Sequence, residues 1–88
     1  MKPWEYICIE VAEEVGRATN LHLPQLSAHE SYAVILEEVD EFWDEVKKKS
    51  RERSNAAMRT ELIQIAAMAV RAIHDLGLQP EMPKGQRP

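Results

Sequence analysis

Apolar residues recur along the first segment at steps of three and four. Trp4, Ile7, Val11, Val15 and Ala18 fall on one side of a helix, and acids occupy the other. The pattern predicts an amphipathic helix from Pro3 to about Thr19. Proline suits its first position, where the missing N–H has no intrahelical partner, and Asn20 can begin the turn that ends it. A short loop, 21–26, carries Pro24. Ser27 and Glu30 then read as a capping box: the Ser27 hydroxyl accepts from the Glu30 N–H, and the Glu30 side chain reaches back to the Ser27 N–H. The second stripe is Tyr32, Ile35, Val39, Phe42 and Val46. It runs out in Lys47, Lys48 and Lys49, which oppose the negative end of the helix dipole.

Ser54 or Asn55 can cap a third helix reaching about Leu76, with Gly77 free to turn left-handed and Pro80 blocking continuation. This helix is apolar nearly all round, because Ile63, Ala67 and Val70 oppose Leu62, Ile65, Ala69, Ala72 and Leu76. Such a helix needs cover on two sides, and the alanines at 56, 57, 66, 67, 69 and 72 allow close approach of neighbours. The expected fold is all-α: a three-helix chain forming a helical bundle that oligomerisation completes, a dimer or tetramer. One domain spans 1–78, and the polar, proline-rich 79–88 is expected to be a flexible tail.

Length changes this picture only by strengthening it, since a chain of 88 residues buries a smaller share of its surface than a longer one. The hydrophobic fraction of 44% is too high for a disordered chain, and the net charge of −4 has the wrong sign for a nucleic-acid binder. Acids interrupt every N-terminal apolar run, and no run is long enough to span a bilayer, so neither a signal peptide nor a membrane segment is expected. Cys8 has no partner for an internal disulfide and reads as a buried thiol beside Ile7 and Ile9, which suits a reducing cytoplasm.

The candidate chemistry lies in carboxylates. At about 100° per residue, Glu38 and Glu41 stand together on one flank of the second stripe with Glu45 near them, while Glu37 points further toward solvent. On the third helix Glu61, Gln64, Arg71 and Asp75 share a polar flank. An acidic helix face is ordinarily only solvated, and on spacing alone Glu37, Asp40, Asp44 and Glu52 are read so. Glu61 differs because it is an acid within an apolar helix, where a charge needs a partner. If the flanks meet, a hard divalent cation with oxygen ligands would offset the repulsion. Magnesium, which tolerates few protein ligands and keeps its waters, fits best, with manganese as the alternative.

At this point the sequence resembles the MazG-like, all-alpha nucleoside triphosphate pyrophosphohydrolases. Their signature is two adjacent glutamates, a third three residues on, then a later Glu-x-x-Asp. Here it reads Glu37-Glu38-Val39-Asp40-Glu41, then Glu61-Leu62-Ile63-Gln64, with residues 42 to 60 between. The resemblance covers roughly 27–76. It implies that Glu38, Glu41 and Glu61 ligate magnesium, that Glu37 is an accessory catalytic acid, and that a nucleoside triphosphate is split between its α- and β-phosphates into monophosphate and pyrophosphate. The departure is Gln64 where the pattern has Asp: an amide oxygen can still coordinate, but one negative charge is lost.

Three further residues are candidates for the substrate. Lys48, in a basic run from Lys47 to Arg53, could draw in a triphosphate, although such a run is commonly a solvated helix end. Arg71 could meet a phosphate or pair with Asp75 one turn on. Trp43 could form an aromatic wall, whereas Phe42 and Tyr32 read as core. A di-iron bundle would need Glu-x-x-His motifs, and neither Glu38 nor Glu61 has the histidine. The second functional class left open is a non-catalytic interaction or nucleotide-sensing module of the same fold, for which Gln64 is the best argument.

Overall fold

A computed structural model describes residues 1–78 and Pro80. Among the described residues the chain is all-helical, with α1 at Pro3–Leu21, α2 at Ala28–Val46, α3 at Asn55–Asp75, a 3-10 turn at Ser50–Glu52, and no strand. No described helix is long and apolar enough to cross a membrane. The expected tail at 79–88 lies outside the described residues, Pro80 excepted.

The helix ends follow local chemistry. Ser27 Oγ accepts from the Glu30 N–H at 3.1 Å, but Glu30 reaches back to the Leu26 N–H at 3.0 Å rather than to that of Ser27. Ser54 caps α3 by accepting from the Ala57 N–H at 3.0 Å. The far end of α3 is a Schellman turn: Gly77 takes φ 65, its N–H meets the His74 carbonyl at 3.2 Å, and the Leu78 N–H meets the Ile73 carbonyl at 2.9 Å. The lysines after α2 lie just past its end, where Lys47 pairs with Asp44 and Lys48 with Glu45. Arg53 caps the helix instead, donating from Nε to the carbonyls of Val46 at 2.8 Å and Lys48 at 3.1 Å.

Both α1 and α2 pack on α3, and the two make no packing contact with each other. Where the three meet, Ala18, Ala67 and Met68 form the buried cluster, with Val11, Val15, Val34 and Ile35 against it. Small residues at the centre let the helices come close, and they also make the core thin. Among the described residues no large side chain is fully buried.

The loop between α1 and α2 is stapled to α3 by polar groups. The Gln25 N–H donates to Asp75 Oδ2 at 2.9 Å, Gln25 Nε2 to the Met68 carbonyl at 3.3 Å, and Arg71 Nη2 to the Leu23 carbonyl at 3.0 Å. The Ser31 hydroxyl completes the network by donating to Gln25 Oε1. These bonds set the depth at which α2 crosses α3.

The α2 stripe departs from expectation. Tyr32 and Trp43 are 69% and 58% exposed, and Leu36 and Val39 are exposed with them. At 100° per residue these four share an arc of about 60°, centred about 120° from the arc of Ser31, Glu38, Phe42 and Glu45. The second arc is the one turned inward, with Ser31 and Glu45 buried and Glu38 and Phe42 half-buried. Tyr32 is therefore not core, and the predicted stripe is split: Ile35, Phe42 and Val46 are half-buried, with Ile35 against the core cluster, while Tyr32 and Val39 stay outside. Trp4 and Ile7 on α1 and Leu62, Val70 and Ile73 on α3 are exposed too. Cys8, expected to be buried, is exposed, because it stands at the lip of an apolar groove of about 430 Å³ between α1 and α3, lined by Val11, Val15, Ala66 and Val70.

Candidate functional site

The inward rotation of α2 brings its acidic flank onto α3. Glu38 and Glu41 stand one turn apart on α2, and Glu61 lies on the first half of α3. One carboxylate oxygen from each lies within 4.8 Å of the other two. Glu38 and Glu61 are half-buried and Glu41 is exposed, so the cluster opens to solvent on one side. These are three of the acids singled out from the sequence spacing.

Three carboxylates at this separation repel one another in a partly dry cleft. Burial, followed by the charges of Glu41 and Glu61, pushes the Glu38 carboxyl up from 4.5 to about 7. Burial and the neighbouring Glu41 raise Glu61 as well. Glu61 Oε2 is a buried oxygen with no hydrogen-bond partner. A hard cation answers all three features, because it supplies the missing partner and offsets the repulsion.

Glu37 lies one residue from the cluster, exposed at the rim of the largest groove, whose volume is about 600 Å³. Glu38 and Gln64 reach the same groove, and Arg17, Gln25 and Arg71 line it from the other helices and the loop. Gln64, one turn after Glu61, turns its Nε2 to Glu14 Oε2 of α1 at 3.1 Å. Its nitrogen is thus committed to α1.

The remaining candidates are placed less centrally. Arg71 lines the groove, but it is 4% exposed, and its guanidinium holds the Leu23 carbonyl and approaches Asp75 Oδ2 at 4.0 Å. Lys48 extends to Glu45 Oε2 at 3.1 Å, and its partner Glu45 is buried. Trp43, five residues beyond Glu38, is turned about 140° from it around α2. Neither Lys48 nor Trp43 lines the groove that Glu37 and Glu38 share.

Two residues that the sequence reading passed over belong to this site. The sequence analysis assigns neither Glu14 nor Arg17 a role. In the structure Arg17 forks onto Glu14, with Nε at 2.5 and 2.9 Å from its two oxygens and Nη2 at 2.5 Å. That guanidinium, together with the Gln64 amide, holds the Glu14 carboxyl below the ordinary carboxylate range. The i, i+3 spacing was visible in the sequence, but nothing in it showed that Gln64 would join the pair from another helix.

Comparison with protein-family models, with curated proteins and with solved structures finds no match.

Proposed function

We propose that this chain is a magnesium-dependent nucleoside triphosphate pyrophosphohydrolase of the MazG-like, all-alpha kind, which splits its substrate between the α- and β-phosphates. The observation that carries this reading is the convergence of Glu38, Glu41 and Glu61 to within 4.8 Å from two helices, on the residues that the signature resembles. Magnesium, when bound, neutralises phosphate charge and makes a coordinated water more acidic; manganese suits the same oxygens.

The chain's own residues have definable tasks. Glu38, Glu41 and Glu61 are the ligands, and the half-buried pair gives up any shared proton on binding. Glu37, at the rim of the groove, accepts the proton of the attacking water. The water oxygen bonds to the α-phosphorus and the α–β bridging oxygen departs with pyrophosphate. The groove is large enough for a nucleotide, and its walls mix polar groups with Leu21, Leu23, Val34 and Met68.

The active form in this reading is a cytoplasmic homo-oligomer, a dimer or tetramer. Its support is the exposed apolar face of Tyr32, Leu36, Val39 and Trp43 and the open apolar α1–α3 groove, surfaces of the kind that mark an interface. The second reading, a non-catalytic module of the same architecture, is favoured by one observation: the Gln64 amide, engaged with Glu14, stands where the pattern has a carboxylate.

Calorimetric titration of magnesium into the protein and into Glu41→Ala, followed by a pyrophosphate-release screen over common and modified nucleotides, separates the two. Magnesium binding lost in the variant together with pyrophosphate release supports the enzyme. Absence of release from every nucleotide sinks it, and activity appearing in Gln64→Asp would then identify a degenerate relative.

A further inference from the structure

The largest groove has walls of opposite charge. Glu37 and Glu38 stand on the α2 side, Arg17 on α1 and Arg71 on α3. Its floor is polar and closed: Gln25 and Arg71 are 3% and 4% exposed, and Arg71 Nε is buried without a hydrogen-bond partner. Arg17 is different in kind. Its side chain is 54% exposed, while the Glu14 carboxylate that fills its fork is 11% exposed. A fork of this geometry accepts a carboxylate or a phosphate equally well. The pair is local, three residues apart on one helix, and its Arg17 side is open to water.

We propose that Arg17 holds the phosphoryl oxygens of a polyphosphate ligand, and that Glu14 is an internal carboxylate occupying its fork until the ligand arrives. Glu14 keeps the hydrogen bond from Gln64 Nε2 after Arg17 leaves, because an amide can donate where an aspartate would repel. Gln64 thereby acquires a physical reason to be an amide. A polyphosphate in the groove, drawn to a cation held by Glu38, Glu41 and Glu61, would have Arg17 on the opposite, α1 wall. The inference rests on the proposed catalytic reading for that polarity, but Arg17 and its fork stand apart from the metal ligands.

The test uses the full chain as wild type, Arg17→Gln, Arg17→Lys and Glu14→Gln, each checked for helicity. Each is titrated by calorimetry with magnesium alone, then with inorganic pyrophosphate and with a non-hydrolysable nucleoside triphosphate, with and without magnesium. Arg17→Gln is expected to weaken pyrophosphate binding by about tenfold or more and leave magnesium affinity unchanged, with Arg17→Lys between it and wild type. Glu14→Gln is expected to tighten pyrophosphate by about two- to threefold, because the competing carboxylate is gone. Tighter binding of the nucleotide than of pyrophosphate identifies a nucleotide as the source of the phosphoryl groups, and equal binding identifies free polyphosphate. Arg17→Gln binding like wild type, weaker binding in Glu14→Gln, or no pyrophosphate binding by wild type overturns the inference. Failure of magnesium alone to bind, with Arg17-dependent pyrophosphate binding retained, sinks the catalytic reading and leaves this one standing.

Discussion

The guanidinium of Arg71 donates to the carbonyl of Leu23 at 3.0 Å, joining the last turns of α3 to a loop 48 positions earlier in the chain. Asp75, four residues on, receives the Gln25 N–H at 2.9 Å, so one flank of α3 binds two adjacent points of the same loop. This makes Arg71 a structural residue first. Arg71→Met would leave the Leu23 carbonyl without its donor and take the nearby positive charge from the largely buried Asp75 carboxylate, at a cost of about 2–4 kcal/mol. The urea midpoint should fall accordingly. Unchanged stability with weakened nucleotide binding would instead return Arg71 to the ligand.

Glu61 shows the opposite balance. Its buried Oε2 has no partner, and the neighbouring acids make its charge unfavourable. Replacement by an amide relieves that repulsion, so metal-free Glu61→Gln is expected to melt higher than wild type by about 4–8 °C for each kcal/mol gained. The same change removes a ligand, and excess magnesium, which stabilises wild type by mass action, should leave the variant unmoved. A variant that melts lower without metal would show that Glu61 serves the fold rather than a cation.

The pH dependence follows from Glu38. Its carboxyl is pushed up from 4.5 to about 7 in the folded chain. Between those values the folded state keeps a proton that the unfolded chain has released, so this contribution to stability is whole below about pH 4.5 and is lost as pH rises through 7. Because solvent reaches the cluster, the loss is about 1–2 kcal/mol rather than the full value of the shift. Glu14, held low by Arg17, acts in the opposite sense and only at more acid pH. Melting followed from pH 5 to 8 should therefore fall in metal-free protein and stay level with magnesium. Calorimetry in two buffers of different ionisation enthalpy should show proton release on magnesium binding near pH 7, and less in Glu38→Gln.

Helix existence, both serine caps and the Gly77 terminator were legible because each depends on a few neighbouring residues. The triad was legible for a related reason: Glu38 and Glu41 lie one turn apart, and Glu61 was conspicuous as an acid on an apolar helix. The rotation of α2 was not legible. Periodicity put Ile35, Phe42 and Val46 on the covered side, yet Tyr32 and Val39 of the same stripe stay outside, because Gln25, Ser31 and Asp75 fix the approach of α2 to α3 through hydrogen bonds, one of which joins residues far apart in sequence. Glu14 and Arg17 were missed for the same cause, because their role depends on Gln64 arriving from another helix.

The uncovered α2 face yields the last expectation. Tyr32, Leu36, Val39 and Trp43 form a continuous exposed strip, while the inward face of the same helix is polar enough to carry Glu38 and Glu45. Burial of such a strip by a second copy would remove apolar surface worth about 25 cal/mol for each Å² covered. It would also fix the face of α2 that carries the carboxylates. Sedimentation of wild type should therefore show a dimer or tetramer, and Leu36→Glu with Val39→Glu should shift it to monomer, because charges on a buried apolar seam are costly. Trp43 provides a second readout: its fluorescence should move to longer wavelength as the strip is exposed by dilution or by the double substitution. A wild type that sediments as a monomer at every concentration would refute this, and the thin core of Ala18, Ala67 and Met68 would then have to hold the chain alone.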